Sequence, residues 1–187
     1  ELFEFAIAEE SIASIEAEGG GILALFDERG SCVGAAASTA GQALLRSLVP
    51  GRYSAFVRPF EAQRRSGGVR LSVLKPMAVR GESVAVLATP GERLLFRFDV
   101  AAAAPVGIGV SAQSEELSAA LYDGTFSKLG EGGALLRELA AGTYYYLVGA
   151  GSSTQRIEAR FYGLGGSRSE TPSDVVESYR DGMEEER

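Results

Sequence analysis

The stretch LLRSLVPGRYSAFV at residues 44–57 returns as LLRELAAGTYYYLV at residues 135–148, and this repeat decides the fold. Half of the 14 aligned positions are identical, and the alignment needs no gap. Both stretches contain the pattern Leu-x-x-Gly-x-Tyr, followed by apolar residues at every second position. A period of two is typical of strands that bury one face, so each stretch predicts two short strands joined by a turn.

Two further segments repeat in the same order along the chain. LFDERGSCVG at residues 25–34 aligns with LYDGTFSKLG at residues 121–130, and FEFAI at residues 3–7 aligns with FRFDV at residues 96–100. In chain order, the offsets between the copies are 93, 96 and 91. Three matches in the same order, with nearly constant offsets, indicate a duplicated module.

The sequence therefore predicts an all-β protein made of two tandem antiparallel β-sandwich domains of jelly-roll or Greek-key type. The first copy is expected at residues 1–77 and the second at residues 78–166, with many short strands between Gly-rich turns. The second copy has a leading strand near Ser83 that the first copy lacks. We therefore expect that the gene product extends upstream or that another chain supplies this strand, since an open sheet edge favours strand addition.

The Leu-x-x-Gly-x-Tyr pattern predicts four structural residues. Gly51 and Gly142 are expected to adopt a backbone conformation that a Cβ atom disfavours. Tyr53 and Tyr144 are expected to pack their rings inward and to bond nearby backbone with their hydroxyl groups. That arrangement is the tyrosine corner of Greek-key sandwiches.

The order Phe-x-Phe, Leu-[Phe/Tyr]-Asp and Leu-x-x-Gly-x-Tyr resembles the bacterial pre-peptidase C-terminal domain, taken twice over residues 1–166. The resemblance implies an accessory module of exported proteins that binds polymers or organises neighbouring domains. Some members of that family bind calcium through clustered acidic side chains. Here only Asp27 and Asp123 match an acidic position, and both are interpreted as turn residues. Fibronectin type III and immunoglobulin-like modules remain the alternative folds.

Composition removes several classes of chemistry. The chain has no His and a single Cys, Cys32, so neither a Ser-His-Asp triad nor a Cys-His pair can form. We predict no catalytic residues, no metal site and no cofactor. Cys32 lies in a predicted strand and is expected to be a small buried side chain.

Charge and hydropathy limit the partners. Residues 1–77 carry nine acids and eight bases, and residues 78–166 carry nine and seven, so the predicted folded part is nearly neutral. This balance argues against nucleic-acid binding, which needs clustered Lys and Arg. No apolar stretch reaches the 18 to 20 or so residues of a membrane span.

Residues 167–187 form an acidic tail with seven acids and three bases. Thr171 and Pro172 are typical of a helix start, so the tail is expected to be a short helix or to be disordered. Val175, Tyr179 and Met183 form a narrow apolar stripe that is a candidate contact with a neighbouring domain.

Four other residues are candidate contacts with a ligand or partner. Arg58, Arg64 and Arg65 form a basic group suited to an acidic partner or a polysaccharide. Tyr145 alternates with the inward-facing Tyr144 and is expected to be exposed, where an aromatic ring suits a sugar or protein surface.

These features predict a non-catalytic protein-interaction or scaffolding module of an exported bacterial protein, located in the periplasm, on the surface or outside the cell. Its partner is expected to be another protein or other domains of the same polypeptide. The alternative is a carbohydrate- or polymer-binding accessory module of a secreted enzyme.

Overall fold

A computed structural model describes residues 1–17, 21–38, 43–59, 68–113 and 117–164. Within these ranges the chain forms strands and no helix, which confirms the all-β prediction. It follows that no described helix is long and apolar enough to cross a membrane. The tail at residues 167–187 lies outside the described residues.

The chain divides into two compact units, Glu1–Lys75 and Pro76–Arg187. The described strands of the first unit are β1 (Leu2–Ile7), β2 (Ser11–Ala17), β3 (Gly21–Asp27), β4 (Cys32–Ser38), β5 (Ala43–Leu48), β6 (Gly51–Arg58) and β7 (Val69–Leu74). They pair as a four-stranded sheet in the order β1-β6-β3-β4 and a three-stranded sheet in the order β5-β2-β7.

One hydrophobic core joins the two sheets of the first unit. Alternate residues supply it, since strand side chains point to opposite faces in turn. Ile15 of β2, Leu25 of β3 and Leu44 of β5 belong to this core, and each is at most 4% exposed. A core shared by two sheets defines a β-sandwich.

The second unit contains the strands β8 (Met77–Ala78), β9 (Ser83–Ala88), β10 (Arg93–Val100), β11 (Ala104–Ala112), β12 (Ser118–Asp123), β13 (Lys128–Glu131), β14 (Ala134–Leu139), β15 (Gly142–Gly149) and β16 (Gln155–Tyr162). Its sheets have the orders β13-β12-β15-β10-β8 and β14-β11-β16-β9. Phe96, Phe98, Tyr146 and Phe161 are the largest fully buried side chains of its core. Among the described strands, all pairings are antiparallel except the parallel pair β8–β10, a short pairing that the sequence did not predict.

Strands β1–β7 and β10–β16 pair in the same order and in the same register. Ile15 of β2 lies between Leu44 and Leu71 on the neighbouring strands. Ile108 of β11 lies in the same way between Leu135 and Phe161. Two strands of the second unit, β8 and β9, have no counterpart among the described strands of the first.

The two tyrosines of the repeated pattern occupy the same place in each unit. The Tyr53 hydroxyl donates a hydrogen bond to the carbonyl of Val49 at 2.9 Å, and the Tyr144 hydroxyl donates to the carbonyl of Ala140 at 2.9 Å. Each ring is buried and stacks on the phenylalanine opposite in register, with ring centres 5.8 Å apart for Tyr53 and 5.7 Å apart for Tyr144. This is the arrangement of a tyrosine corner.

The backbone prediction for the repeated glycines is wrong for Gly51 but fits Gly142. Gly51 has no positive φ, and a Cβ atom there would meet nothing closer than the Tyr53 ring at 3.9 Å, which is ordinary van der Waals contact. Gly142 has φ of 159°, at the edge of the range that L side chains rarely adopt. The feature that both units share at this corner is therefore the tyrosine and its hydrogen bond.

The predicted burial of Cys32 is also wrong, because its side chain is exposed. Cys32 is the first residue of β4, where the register with β3 shifts between Leu25 and Phe26. Its thiol contacts the carbonyl of Gly34 at 3.6 Å. The sequence pattern located the strand but not the irregularity that turns this side chain outward.

We expect Tyr53→Phe and Tyr144→Phe each to lower the free energy of unfolding by about 1 kcal/mol, because each removes one partly buried hydrogen bond and leaves a carbonyl without its donor. Urea denaturation of the full chain measures both losses. Equal stability of the wild type and both variants would show that the hydroxyl groups do not hold the corner.

Candidate interaction surfaces

The acidic residue at the end of β3 organises a tight turn. The Asp27 carboxylate accepts hydrogen bonds from the backbone N–H groups of Arg29 at 2.9 Å and Ser31 at 2.8 Å. Its backbone N–H and C=O also bond within the turn, to the Ser31 carbonyl and the Gly30 N–H. These bonds confirm its interpretation as a turn residue.

The same turn follows β12 in the second unit. The Asp123 carboxylate accepts hydrogen bonds from the N–H groups of Thr125 at 2.8 Å and Ser127 at 2.9 Å, and from the Thr125 hydroxyl at 2.7 Å. Burial raises the pKa of Asp123, but the hydrogen bonds from Thr125 and Ser127 outweigh this effect, so the pKa lies below its ordinary value. Neither turn carboxylate is part of a metal-binding group, since no cluster of three His, Cys, Asp or Glu residues occurs in the described part of the chain.

The two turns differ at one position. Gly30 has φ of 76°, and the residue at the equivalent position, Phe126, has φ of 63°. A glycine adopts this left-handed conformation freely, whereas a phenylalanine there is strained. The Phe126 ring stacks on Tyr145 with ring centres 4.9 Å apart and planes at 28°.

Tyr145 therefore differs in part from its prediction. It does point away from the core that contains Tyr144 and Tyr146, as the alternation predicts. Its side chain is half-buried, however, because the Phe126 ring covers part of it. The rings form an aromatic pair between Tyr122 and Arg97, which flank Tyr145 on the neighbouring strands.

The sequence did not predict an apolar surface on the first unit, which we call the outer face. It lies on the solvent side of the sheet β1-β6-β3-β4. Leu2 lies opposite Phe56, Phe56 lies opposite Ala24, and Ile22 lies opposite Arg58. Leu2 is 61% exposed, Phe56 44% and Ile22 38%. Contiguous exposed apolar side chains of this size mark interaction sites.

Two of the three residues equivalent to this outer face are buried in the second unit, whereas Ser118, the equivalent of Ile22, is exposed. Register equivalence matches Leu2 to Leu95 and Phe56 to Leu147. Leu95 is 1% exposed and Leu147 is 3% exposed, although both point to the side of their sheet away from the core. This side of the sheet therefore carries large apolar side chains in both units.

The basic group predicted around Arg58 is described only in part. Arg58 ends β6, is exposed and lies beside Ile22 at the rim of the outer face. Arg52, on the same strand, is also exposed. Arg64 and Arg65 lie outside the described residues, as do Val175, Tyr179 and Met183 of the tail.

A cleft of about 330 Å³ in the second unit is lined by two carboxylates, Glu82 and Asp99. Asp99 accepts a hydrogen bond from the Thr143 hydroxyl at 2.6 Å and lies 3.7 Å from the Arg97 guanidinium. These contacts fix the position of the Asp99 side chain beside Arg97 and Thr143.

No protein-family model matches the chain, and no curated protein matches it. Solved structures similar to part of it include the pre-peptidase C-terminal domain of a collagenase from Bacillus anthracis, with 14% identity and a TM-score of 0.39 over 47% of this chain and 93% of that one. PliG, a periplasmic inhibitor of g-type lysozyme from Aeromonas hydrophila, is 12% identical with a TM-score of 0.37, over 47% of this chain and 96% of its own. Similarities at these values do not define a family or a shared function.

We expect Phe126→Ala to destabilise the protein by about 1 kcal/mol more than Phe126→Gly does. Both variants lose the stack on Tyr145, but only alanine keeps the cost of a Cβ atom in the left-handed region. Chemical denaturation of the two variants measures the difference. An alanine variant as stable as the glycine variant would show that the turn carries no backbone strain.

The lowered pKa of Asp123 predicts a specific pH dependence. A carboxyl group with a depressed folded-state pKa stabilises the fold above its unfolded-state pKa, and that stability is lost as pH falls through the folded-state value. Between about pH 5 and pH 2, the wild type should therefore lose more unfolding free energy than Asp123→Asn does. Parallel pH profiles of the two proteins would contradict this expectation.

Proposed function

We propose that this chain is a non-catalytic protein-interaction or scaffolding module of an exported bacterial protein. One observation carries the proposal: the outer face with Leu2, Ile22 and Phe56 is exposed, whereas the equivalent Leu95 and Leu147 are buried. Large apolar side chains on the solvent side of a sheet raise the free energy of the unbound protein in water. Burial of these side chains against a partner removes that cost.

The chemistry of the outer face indicates what it binds. Its centre is apolar: the small side chain of Ala24 lies opposite Phe56 and two positions from Ile22 on the same strand. Arg58 and Arg52 contribute positive charge on the same strand as Phe56. We infer that the partner is a folded protein surface with an apolar centre and acidic residues placed opposite these arginines.

Two further features support this class of function. The residues that the sequence singled out as conserved between the copies, such as Tyr53 and Asp27, serve the fold through hydrogen bonds to backbone. The absence of His from the sequence also removes the commonest general base. An extracytoplasmic location is part of the proposal, because the repeated motifs resemble those of modules attached to exported proteins.

The aromatic pair Phe126–Tyr145 supports a second candidate, a carbohydrate- or polymer-binding module. The backbone of Phe126 has a strained positive φ angle, and backbone strain of this kind often accompanies a functional site. The stack covers part of Tyr145, however, which reduces the ring surface available to a sugar. The second candidate is therefore the weaker one.

A photo-crosslinking phenylalanine analogue at position 56, introduced in the source cell, would identify the protein that covers the outer face. With that protein purified, Phe56→Ser should weaken binding to the chain at least about tenfold, as expected when an apolar anchor is truncated. Leu87→Ser is the matched control, since Leu87 is 70% exposed on the second unit.

Equal binding by Phe56→Ser and the wild type would contradict the proposed role of the outer face. A glycan array that retains the wild type but not Tyr145→Ala would favour the polymer-binding candidate instead. Reproducible turnover in a hydrolase panel would overturn the non-catalytic assignment altogether.

A further inference from the structure

Residues 76–88, here called the covering segment, close one side of the second unit. Its first strand, β8, pairs in parallel with β10, and the Val79 N–H donates to the Arg97 carbonyl at 2.8 Å. Its second strand, β9, pairs with β16 over six residues. One continuous segment therefore adds a strand to both sheets of this sandwich.

The covering segment also completes the core beneath it. Met77, Val79, Val84 and Val86 pack against that core, and Ala88 is fully buried in it. The aromatic side chains of β10 and β16 on this side are almost completely inaccessible: Phe96 is 0% exposed, Phe98 1% and Phe161 1%.

The corresponding side of the first unit, which we call the open side, has no covering strand among the described residues. There β1 pairs with β6 alone, and β7 pairs with β2 alone. Phe3 and Phe5 occupy the positions of Phe96 and Phe98, yet both are only half-buried. Leu71, at the position of Phe161, is half-buried as well.

The backbone at this edge is also suited to pairing. In the second unit, the Phe161 N–H donates to the carbonyl of Glu82 at 2.7 Å, extending the ladder with β9. Leu71 pairs with Ile15 as Phe161 pairs with Ile108. The N–H of Leu71 therefore points to the open side, where a strand running antiparallel to β7 can accept its hydrogen bond.

We propose that the open side of the first unit binds an extended segment of a partner protein by strand addition. The covering segment defines the chemistry of that partner: it runs antiparallel to β7 and places small apolar side chains at alternate positions, as Val84, Val86 and Ala88 do. Backbone hydrogen bonds supply affinity, and the half-buried Phe3, Phe5 and Leu71 supply the apolar contact. This inference rests on the proposed function, because it names a second type of contact made by the same module.

A fluorescein-labelled peptide with the sequence of residues 76–88, added to the full chain, tests the proposal. Fluorescence anisotropy is expected to show saturable binding. Amide hydrogen exchange is expected to show new protection in β7 and β1, which distinguishes binding at the open side from exchange with the chain's own covering segment.

Peptide variants show whether backbone pairing carries the binding. Val84 and Val86 lie opposite Ala159 and Ile157 of β16, and proline at both peptide positions removes two ladder donors. We expect this double variant to bind at least about tenfold more weakly. A peptide with Ala85→Ser is the matched control, since Ala85 is exposed, and its affinity should stay within about twofold of the parent.

Three results would overturn the inference: no saturable binding, new protection confined to β16, or equal binding of the parent and double-proline peptides. Concentration-dependent dimers that protect β7 without peptide would also overturn it, because the open side would then pair with a second copy. The variant Phe56→Ser should bind the peptide as the wild type does. Failure of strand addition is thus distinguishable from failure of the outer face to bind its partner.

Discussion

The hydrogen bond from a tyrosine hydroxyl to the turn that precedes its own strand is the interaction on which each sandwich depends. β5 belongs to one sheet and β6 to the other, so the turn between them is a crossing from sheet to sheet. Tyr53 fixes that crossing by bonding to Val49 while its ring stacks on Phe5 in the core. Tyr144 does the same between β14 and β15.

Much of the fold could be predicted from the sequence because its signals are local and periodic. The alternation along Phe96 and Phe98 identified a strand and its buried face, and Asp27 directly after Leu25-Phe26 identified a turn. Features that arise from long-range pairing were missed. Cys32 is exposed because of an irregularity between β3 and β4, and the outer face exists because Leu2 and Phe56, 54 positions apart, lie side by side on paired strands. The outer face could have been found from large apolar residues at solvent-facing positions of the alternating pattern. Leu2 is such a residue, because its neighbour Phe3 faces the core.

The turns after β3 and β12 have the same backbone hydrogen bonds but differ in the residue at their left-handed position. The backbone bonds from Gly30 to Asp27 and from Phe126 to Asp123 are nearly equal, at 2.9 and 3.0 Å, so the turn geometry tolerates either residue. Glycine satisfies the left-handed backbone without cost, whereas phenylalanine is retained there despite its strain. The compensating interaction is the stack on Tyr145, whose equivalent in the first unit is Ser54. The first unit forms the same turn without this strain, so the fold itself does not require phenylalanine at this position.

The exposure of equivalent residues can be compared between the two units. This comparison distinguishes residues that maintain the fold from residues whose exposure the fold does not explain. Ile15 and Ile108 are buried in both units, so their burial belongs to the sandwich. Phe5 and Phe98 stack on their tyrosines alike, yet only Phe98 is fully buried, and the difference coincides with the presence of β8 beside β10. Exposure that differs between equivalent positions cannot come from the shared fold, because the register is the same. It must come from what lies next to that position, which is why the two proposed contacts rest on Phe3, Phe5 and Phe56 of the first unit.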